Sequence, residues 1–414
     1  MDTYDYLIVG GGIAGTTAAE TLRSEDTDAS IAIISDEPHR LYSRVMLSKP
    51  QFFLGKIPFE SIWLKEEGWH KEHDISFLAG KTVESIDSDA KKIGLDDGSS
   101  VGYGKLLVAC GSICRPLPVP GVDKKGVYHV KTLDDGKGII EHVKKTKKAV
   151  VVGGGFISFE MCDMLHLAGI EVTAVIREPY FWDPQLDEES GKAVERVMEK
   201  EGITILRESE LKEITGTDEV EGVVLKNGET LECQMVIVGI GSCLKVDWLK
   251  GSGVTVERGV RTNEYLETTR EDIYAAGDVV EFDDLILEEK VRAGTWVNAQ
   301  VQGKTAALNM AGKHVQFRMM SYYTAHGFDT SITFCGDVLP GEDRTTVRRG
   351  SHEEGSFSHF NIRDGRVIGA TFMNRGSELA AALRLISNHV DVSEKLDMLA
   401  DPDIDPKTLI PSES

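Results

Sequence analysis

The chain has 414 residues, 41% of them hydrophobic and 28% charged, with 46 Lys and Arg against 68 Asp and Glu for a net charge of −22. That length implies roughly two to four domains, each able to bury its own core, and the composition excludes wholesale disorder. The acid surplus excludes a general nucleic-acid binder, which needs Lys and Arg for phosphates, and no uncharged apolar run reaches the length of a membrane helix. The opening Met1 to Gly10 carries acids where an export signal needs bases. Six cysteines without metal-type spacing fit a reducing compartment, so the expected location is the cytoplasm, and no metal centre is expected.

In chain order, Tyr6-Leu7-Ile8-Val9 is a continuous apolar run of the kind a strand buried on both faces carries. It leads into Gly10-Gly11-Gly12-Ile13-Ala14-Gly15 and an alanine-rich helical stretch from Thr16 to Leu22. This is GxGxxG between strand and helix. Gly10 allows the tight turn, Gly12 lets a pyrophosphate approach the backbone, and Gly15 lets helix and strand pack closely. A second strand, Ile31 to Ile34, ends at Ser35-Asp36, and Asp36 stands about 20 residues beyond the glycines, where a ribose-binding acid is expected. The device returns as Gly153-Gly154-Gly155-Phe156-Ile157-Ser158, between the strand Lys148 to Val152 and a helix from Phe159. Ser158 takes the third glycine's place and is small enough to permit the same packing. Two fingerprints in one chain point to two dinucleotides on two tandem domains. Later come strand-like Ser331 to Phe334, a hairpin from Asn361 to Ile368 turning at Asp364-Gly365, and an amphipathic helix from Glu378 to Ile386. The acidic, Pro-containing tail from Asp401 reads as loosely ordered.

Several further segments carry a family resemblance along almost the whole chain. They are Tyr42-Ser43-Arg44 through Ser48-Lys49, Leu106 through Cys110-Gly111-Ser112 to Cys114-Arg115, Thr132 to Asp135, Ile237-Val238-Gly239-Ile240-Gly241, Ile273 through Gly277-Asp278, and Trp296 to Gln300. With the two fingerprints they resemble the FAD- and NAD(P)H-binding oxidoreductases of the glutathione reductase superfamily, in the branch of ferredoxin and rubredoxin reductases, apoptosis-inducing-factor-like proteins and nitrite reductase flavodomains. The chain departs from that pattern at Val45 and Met46, where prolines are usual, and at Cys110 and Cys114, which stand in Thr and Pro places. The fold class implied is α/β: two tandem Rossmann-like domains, for FAD and NAD(P), plus an α+β C-terminal cap. The expected domains are 1–115 and 245–320 for FAD, 116–244 for NAD(P), and 321–414 for the cap.

The resemblance also implies roles. Gly10, Gly12, Gly15, Asp36, Arg44, Lys49, Val83, Gly111, Arg115, Gly277, Asp278, Thr295 and Trp296 fall at FAD-binding places; Gly153, Gly155, Phe156, Ile157, Glu160, Arg177 and Gly241 fall on the NAD(P) side. In the resembling proteins Lys49 and Glu160 meet at the flavin, which makes them the candidate catalytic pair. Arg44 offers a guanidinium fork to the FAD pyrophosphate, and Val83 meets the adenine through its backbone. Asp278 takes the ribityl hydroxyls or caps a helix, and Trp296 borders the flavin or packs in the core. Arg177 after the strand Ile170 to Ile176 attracts a 2′-phosphate while Glu178 weakens that attraction, giving dual use of NADH and NADPH with a lean to NADPH.

No cysteine falls where the disulfide reductases, thioredoxin reductases or peroxidases of the superfamily carry theirs. Electrons then leave FAD for an external acceptor, a small acidic iron–sulfur carrier such as rubredoxin or ferredoxin, received by a basic patch such as Arg344, Arg348 and Arg349. The alternatives are reduction of a small molecule, or a redox-gated interaction protein of the apoptosis-inducing-factor-like type. His326 faces the flavin or caps a domain join. The sequence carries no signal for an oligomeric state.

Overall fold

A computed structural model describes residues 1–411. The apolar run at the start lies in the strand Thr3–Val9, buried from Tyr6 onward. It pairs in parallel with Ile31–Ser35 on one side and Ser100–Val108 on the other, with Ile8 opposite both Ile33 and Leu107. A strand with parallel neighbours and covered faces has no solvent side, which is why it reads as an unbroken apolar run. The sheet continues to Ile75–Ala79 beyond Ile31–Ser35 and to Ile273–Ala275 beyond the end of Ser100–Val108. An antiparallel meander, Val83–Asp87 and Lys92–Leu95, adds to the first half of Ser100–Val108. Helices Ile13–Glu25 and Trp296–Met310 lie against each other, and Gly303 permits it, since a Cβ there would stand 2.2 Å from the Ala14 carbonyl oxygen.

The chain forms two compact units. The first comprises Met1–Ser43, Glu60–Ile113 and Cys243–Ser321; the second comprises Arg44–Phe59, Cys114–Ser242 and the chain from Tyr322 onward. The second unit carries a parallel sheet in the order Thr204–Leu206, Glu171–Val175, Lys148–Val152, Met235–Val238, Val127–Tyr128. In this unit helix Leu133–Val143 starts on a capping box in which Thr132 accepts from the Asp135 amide and Asp135 accepts from the Thr132 amide. A five-stranded antiparallel sheet follows in the order Tyr322–Gly327, Thr330–Gly336, Arg366–Met373, Ser356–Arg363, Thr345–Ser351, with helix Leu379–Ser387 against it. Asp364 and Gly365 turn its central hairpin at φ 50° and 74°, the left-handed geometry a two-residue turn demands.

Residues 44–59 cluster with the second unit, where Leu47 fills the space over Gly136 and Ser48 and Lys49 bind Glu160. From Asp401 to Ile410 the tail is docked rather than loose: Arg349, 3% exposed, donates to the carbonyls of Leu399, Pro402 and Ile404, and Pro406 and Leu409 are buried. Asp278 caps no helix, since the chain runs on from it into the strand Val280–Asp284. No helix among the described residues is long and apolar enough to cross a membrane.

Candidate functional site

In the first unit, the fingerprint glycines separate into two kinds. A Cβ on Gly10 would stand 2.2 Å from the Ala109 carbonyl oxygen and one on Gly15 would stand 1.9 Å from that of Gly10, so both are required by the protein's own packing. Gly12 is different: nothing lies within 4 Å of a Cβ built there. It is also the N-cap of helix Ile13–Glu25, without a capping side chain and with no acid in the first turn. The uncapped amides and the helix dipole face open space, which suits a pyrophosphate. Asp36 follows the neighbouring strand Ile31–Ser35, exposed, its carboxylate accepting from the Glu37 amide. The Lys81 amide donates to the Ser35 carbonyl, bringing the chain before Val83 alongside that strand end; Val83 itself is buried opposite Leu95.

Farther along the same sheet edge, Gly111 is left-handed at φ 66° with open space at its Cβ position. Ser112 donates to Asp278 at 2.9 Å, and the Gly277 amide is held by the buried Gln302 side chain at 2.8 Å. Thr295 caps helix Trp296–Met310 through the Asn298 amide, and Trp296 is half-buried in its first turn.

In the second unit the arrangement repeats. A Cβ on Gly153 would meet the Gly239 carbonyl oxygen at 2.4 Å, whereas Gly155 has nothing within 4 Å and begins helix Phe156–Leu167 without a capping side chain. Ser158 occupies the third-glycine place fully buried, its hydroxyl turned to the Gly239 and Val152 carbonyls. Two of that helix's first residues point to different neighbours. Phe156 packs edge-on to Tyr323 and beside Trp182 and Phe334, while Ile157 is half-exposed. Glu160, 6% exposed, accepts from Ser48 on one carboxylate oxygen and from the Lys49 ammonium on the other. Lys49 keeps a quarter of its side chain exposed. The carboxylate is thus fixed by two donors and its charge is matched, which a buried acid requires.

The remaining expected residues are scattered around this unit. Arg44 donates to the Lys131 carbonyl at 2.6 Å. Arg115 holds the return of the chain, its amide on the Gly241 carbonyl and its guanidinium on that of Ser242. Gly241 is left-handed at φ 91°. Arg177 is exposed and bound to Glu178 at 2.7 Å, so its charge is already shared with the acid beside it. The expected basic patch does not form. Arg344 is enclosed between Asp337 and Asp343, Arg349 is buried under the tail, and Arg348 is paired with Asp187. In this acid-rich chain each of the three finds a carboxylate or a carbonyl instead of contributing to a common field. His326 is exposed on the edge strand Tyr322–Gly327.

Ser48 and Trp182 went unnoticed in the sequence. Ser48 was legible, as it adjoins Lys49 in the quoted segment; Trp182 carries no motif and reaches Phe156 only through the fold. The thiols are poorly suited to redox exchange. Burial pushes those of Cys110, Cys233 and Cys335 up to about 12 and that of Cys162 upward as well. Cys233, just past the edge strand Thr230–Glu232, is fully buried.

The family model for pyridine nucleotide-disulphide oxidoreductases matches residues 4–303, and a reductase C-terminal model matches 325–410. Over 398 residues, 95% of this chain, it is 29% identical to a nitrite reductase [NAD(P)H] of Bacillus subtilis, of which it spans 48%. Over 412 residues, 99% of this chain, it is 29% identical to the ferredoxin–NAD(+) reductase component of the anthranilate 1,2-dioxygenase system of Burkholderia cepacia, spanning all of it. The crystal structure of the ferredoxin reductase for the CYP199A2 system from Rhodopseudomonas palustris superposes at a TM-score of 0.88 with 29% identity, covering 99% of both chains. Two open glycine cradles and a family model that spans most of the chain agree: the chain belongs to the pyridine nucleotide-disulphide oxidoreductase family, as an FAD-dependent NAD(P)H oxidoreductase.

Proposed function

We propose that the protein passes electrons from NAD(P)H through FAD to a small iron–sulfur protein of the rubredoxin or ferredoxin kind. The observation that carries the reading is the pair of cradles whose middle glycines, Gly12 and Gly155, face open space at uncapped helix starts. FAD, when bound, supplies the chemistry: it accepts a hydride from reduced nicotinamide and releases electrons to an acceptor. The chain's own residues bind and orient. Residues 1–115 and 245–320 take FAD, with Gly10, Gly12 and Gly15 under the pyrophosphate, Asp36 at the ribose and Asp278, steadied by Ser112, at the ribityl chain. Arg44, Val83, Gly111, Arg115, Thr295 and Trp296 complete that set.

Residues 116–244 take the nicotinamide dinucleotide on Gly153, Gly155, Phe156, Ile157 and Gly241, with Arg177 and Glu178 sharing the adenosine end. Glu160 and Lys49 set the charge beside the nicotinamide. Because Ser48 and Lys49 hold both carboxylate oxygens, Glu160 cannot swing out, and the pair brings no net charge toward an anionic dinucleotide. The full-length match to a ferredoxin reductase component supports an iron–sulfur acceptor. Six cysteines in the sequence, without metal-type spacing, support a cytoplasmic location. The missing basic patch favours one second reading, a small-molecule acceptor.

One experiment separates them. The FAD-loaded protein is reduced anaerobically with NADH and with NADPH, then offered rubredoxin, ferredoxin or ferricyanide under nitrogen. Reduction by about two electrons per FAD and rapid transfer to an iron–sulfur protein is the expected result. Rapid ferricyanide turnover without transfer to any iron–sulfur protein would sink it in favour of the second reading.

A further inference from the structure

His352 lies in the turn between the hairpin strands Thr345–Ser351 and Ser356–Arg363 and His359 in the second of them, while Asp187 caps helix Glu188–Lys200 far away in the chain. No sequence spacing joins them, which is why no metal centre was expected. The second unit nevertheless brings one ligand atom from each within 4.8 Å of the others.

The local geometry is that of convergent donors. His352 Nε2 and His359 Nε2 stand 3.1 Å apart. Two nitrogens on one zinc ion at bonds of about 2.0–2.1 Å and so separated subtend an angle of about 100° at the metal, between the tetrahedral and octahedral values. The other ring nitrogen of His352, Nδ1, lies 3.4 Å from Glu189 Oε1. A carboxylate beside the far nitrogen favours a proton there and leaves Nε2 to ligate, the usual support for a metal-bound imidazole. Phe357 stacks on the His352 ring at 4.2 Å, fixing its plane, and His359 is buried. Ser190 Oγ lies 3.1 Å from His352 Nε2 and can serve as a fourth donor or hold a water there. Asp187 accepts from the Ser190 amide on Oδ1, and a carboxylate has lone pairs left for a cation. One group opposes: the Arg348 guanidinium lies 2.5 Å from Asp187 Oδ2 and 4.0 Å from Glu189 Oε2.

We propose that Asp187, His352 and His359 form a binding site for a zinc-class divalent cation, a staple between the cap of helix Glu188–Lys200 and the hairpin of the C-terminal sheet. Two imidazoles and one carboxylate select a borderline metal such as zinc over calcium or magnesium, which prefer all-oxygen sites. Binding displaces Arg348 from Asp187 toward Glu189 or solvent, so the arginine weakens the site without abolishing it.

The test uses FAD-loaded protein stripped with a chelator and dialysed against micromolar zinc, with metal counted by mass spectrometry and ligands read by zinc-edge X-ray absorption. One zinc per chain with two imidazole ligands and no sulfur is expected, along with a rise in unfolding temperature. His352→Gln weakens binding by about tenfold or more, the loss expected on removing one ligand. Asp187→Asn, which keeps the cap acceptor, weakens it too. Arg348→Gln tightens it by about threefold or more by removing an adjacent like charge. His314→Gln, at a stacked surface histidine, leaves it unchanged. No zinc at these concentrations, sulfur in the coordination shell, or equal affinity in wild type, His352→Gln and Arg348→Gln would each overturn the proposal.

Discussion

At the scale of single residues, the two kinds of fingerprint glycine make opposite predictions. Gly12 has an extended backbone and open space, so Gly12→Ala is expected to fold with an unchanged apoprotein melting temperature. Its FAD affinity should fall at least about tenfold, because the methyl group occupies ground a pyrophosphate needs. Gly15→Ala, whose Cβ would stand 1.9 Å from a carbonyl oxygen, should instead fail to fold. Equal FAD affinity of Gly12→Ala and wild type, by fluorescence titration, would remove Gly12 from the cofactor site. For the pair behind the second fingerprint, Glu160→Gln leaves the part-buried Lys49 without its counter-charge. A cost of about 1–3 kcal/mol is expected, below that of a fully buried pair because Lys49 is partly exposed. Reduction by NADH in stopped flow should slow by about tenfold or more. Ser48→Ala, which removes one neutral donor, should cost only about 1 kcal/mol. Wild-type reduction rates in Glu160→Gln would take the carboxylate out of the chemistry.

At the scale of elements, helix Phe156–Leu167 carries a second buried acid one turn beyond Glu160. Asp163 accepts from the Phe328 amide at 2.9 Å, yet burial holds its carboxyl above the ordinary value of 3.8, against the opposing effect of that amide. A folded pKa above the unfolded one means the folded state binds protons more tightly. Stability therefore falls as pH rises from 3.8 through the raised value and stays lowered above it. Asp163→Asn keeps an acceptor for Phe328 and removes the charge, so it should raise the melting temperature at neutral pH and lose that advantage toward pH 4 or so. A destabilised variant at neutral pH contradicts this account. The C-terminal tail is held chiefly by the buried Arg349. Arg349→Met strips the carbonyls of Leu399 and Ile404 of their donor and leaves Pro402 only Arg375, at about 2–4 kcal/mol. Limited proteolysis should then cut beyond residue 400, where wild type resists. The same element shows how a sequence misleads: an acidic, Pro-containing tail reads as loose because the arginine that fastens it lies some fifty residues upstream.

For the whole molecule, the net charge of −22 governs how partners arrive. With Arg344 and Arg348 paired to carboxylates and Arg349 buried against carbonyls, these three form no compensating patch. An acidic carrier is then repelled at long range. Raising ionic strength from about 10 mM to about 150 mM shortens the Debye length from about 30 Å to about 8 Å, so kcat/KM for such a carrier should rise with salt. A steep fall with salt would reveal steering by basic residues elsewhere on the surface.

Much of this protein was legible in the sequence because its determinants are local. A strand, a glycine turn and a helix start are set by a dozen neighbouring residues, so Gly10 to Gly15 and Gly153 to Ser158 announce two dinucleotide cradles without any knowledge of the rest. The Asp364-Gly365 turn and the helix near Glu378 are local for the same reason. What the sequence alone left undecided involves charges and donors that meet from distant parts of the chain. Lys49 with Glu160, Arg349 with the tail, and Asp187 with His352 and His359 are each separated by fifty residues or more. The energy of a buried or half-buried polar group is set by whichever partner the packing delivers, and only the tertiary structure makes that delivery.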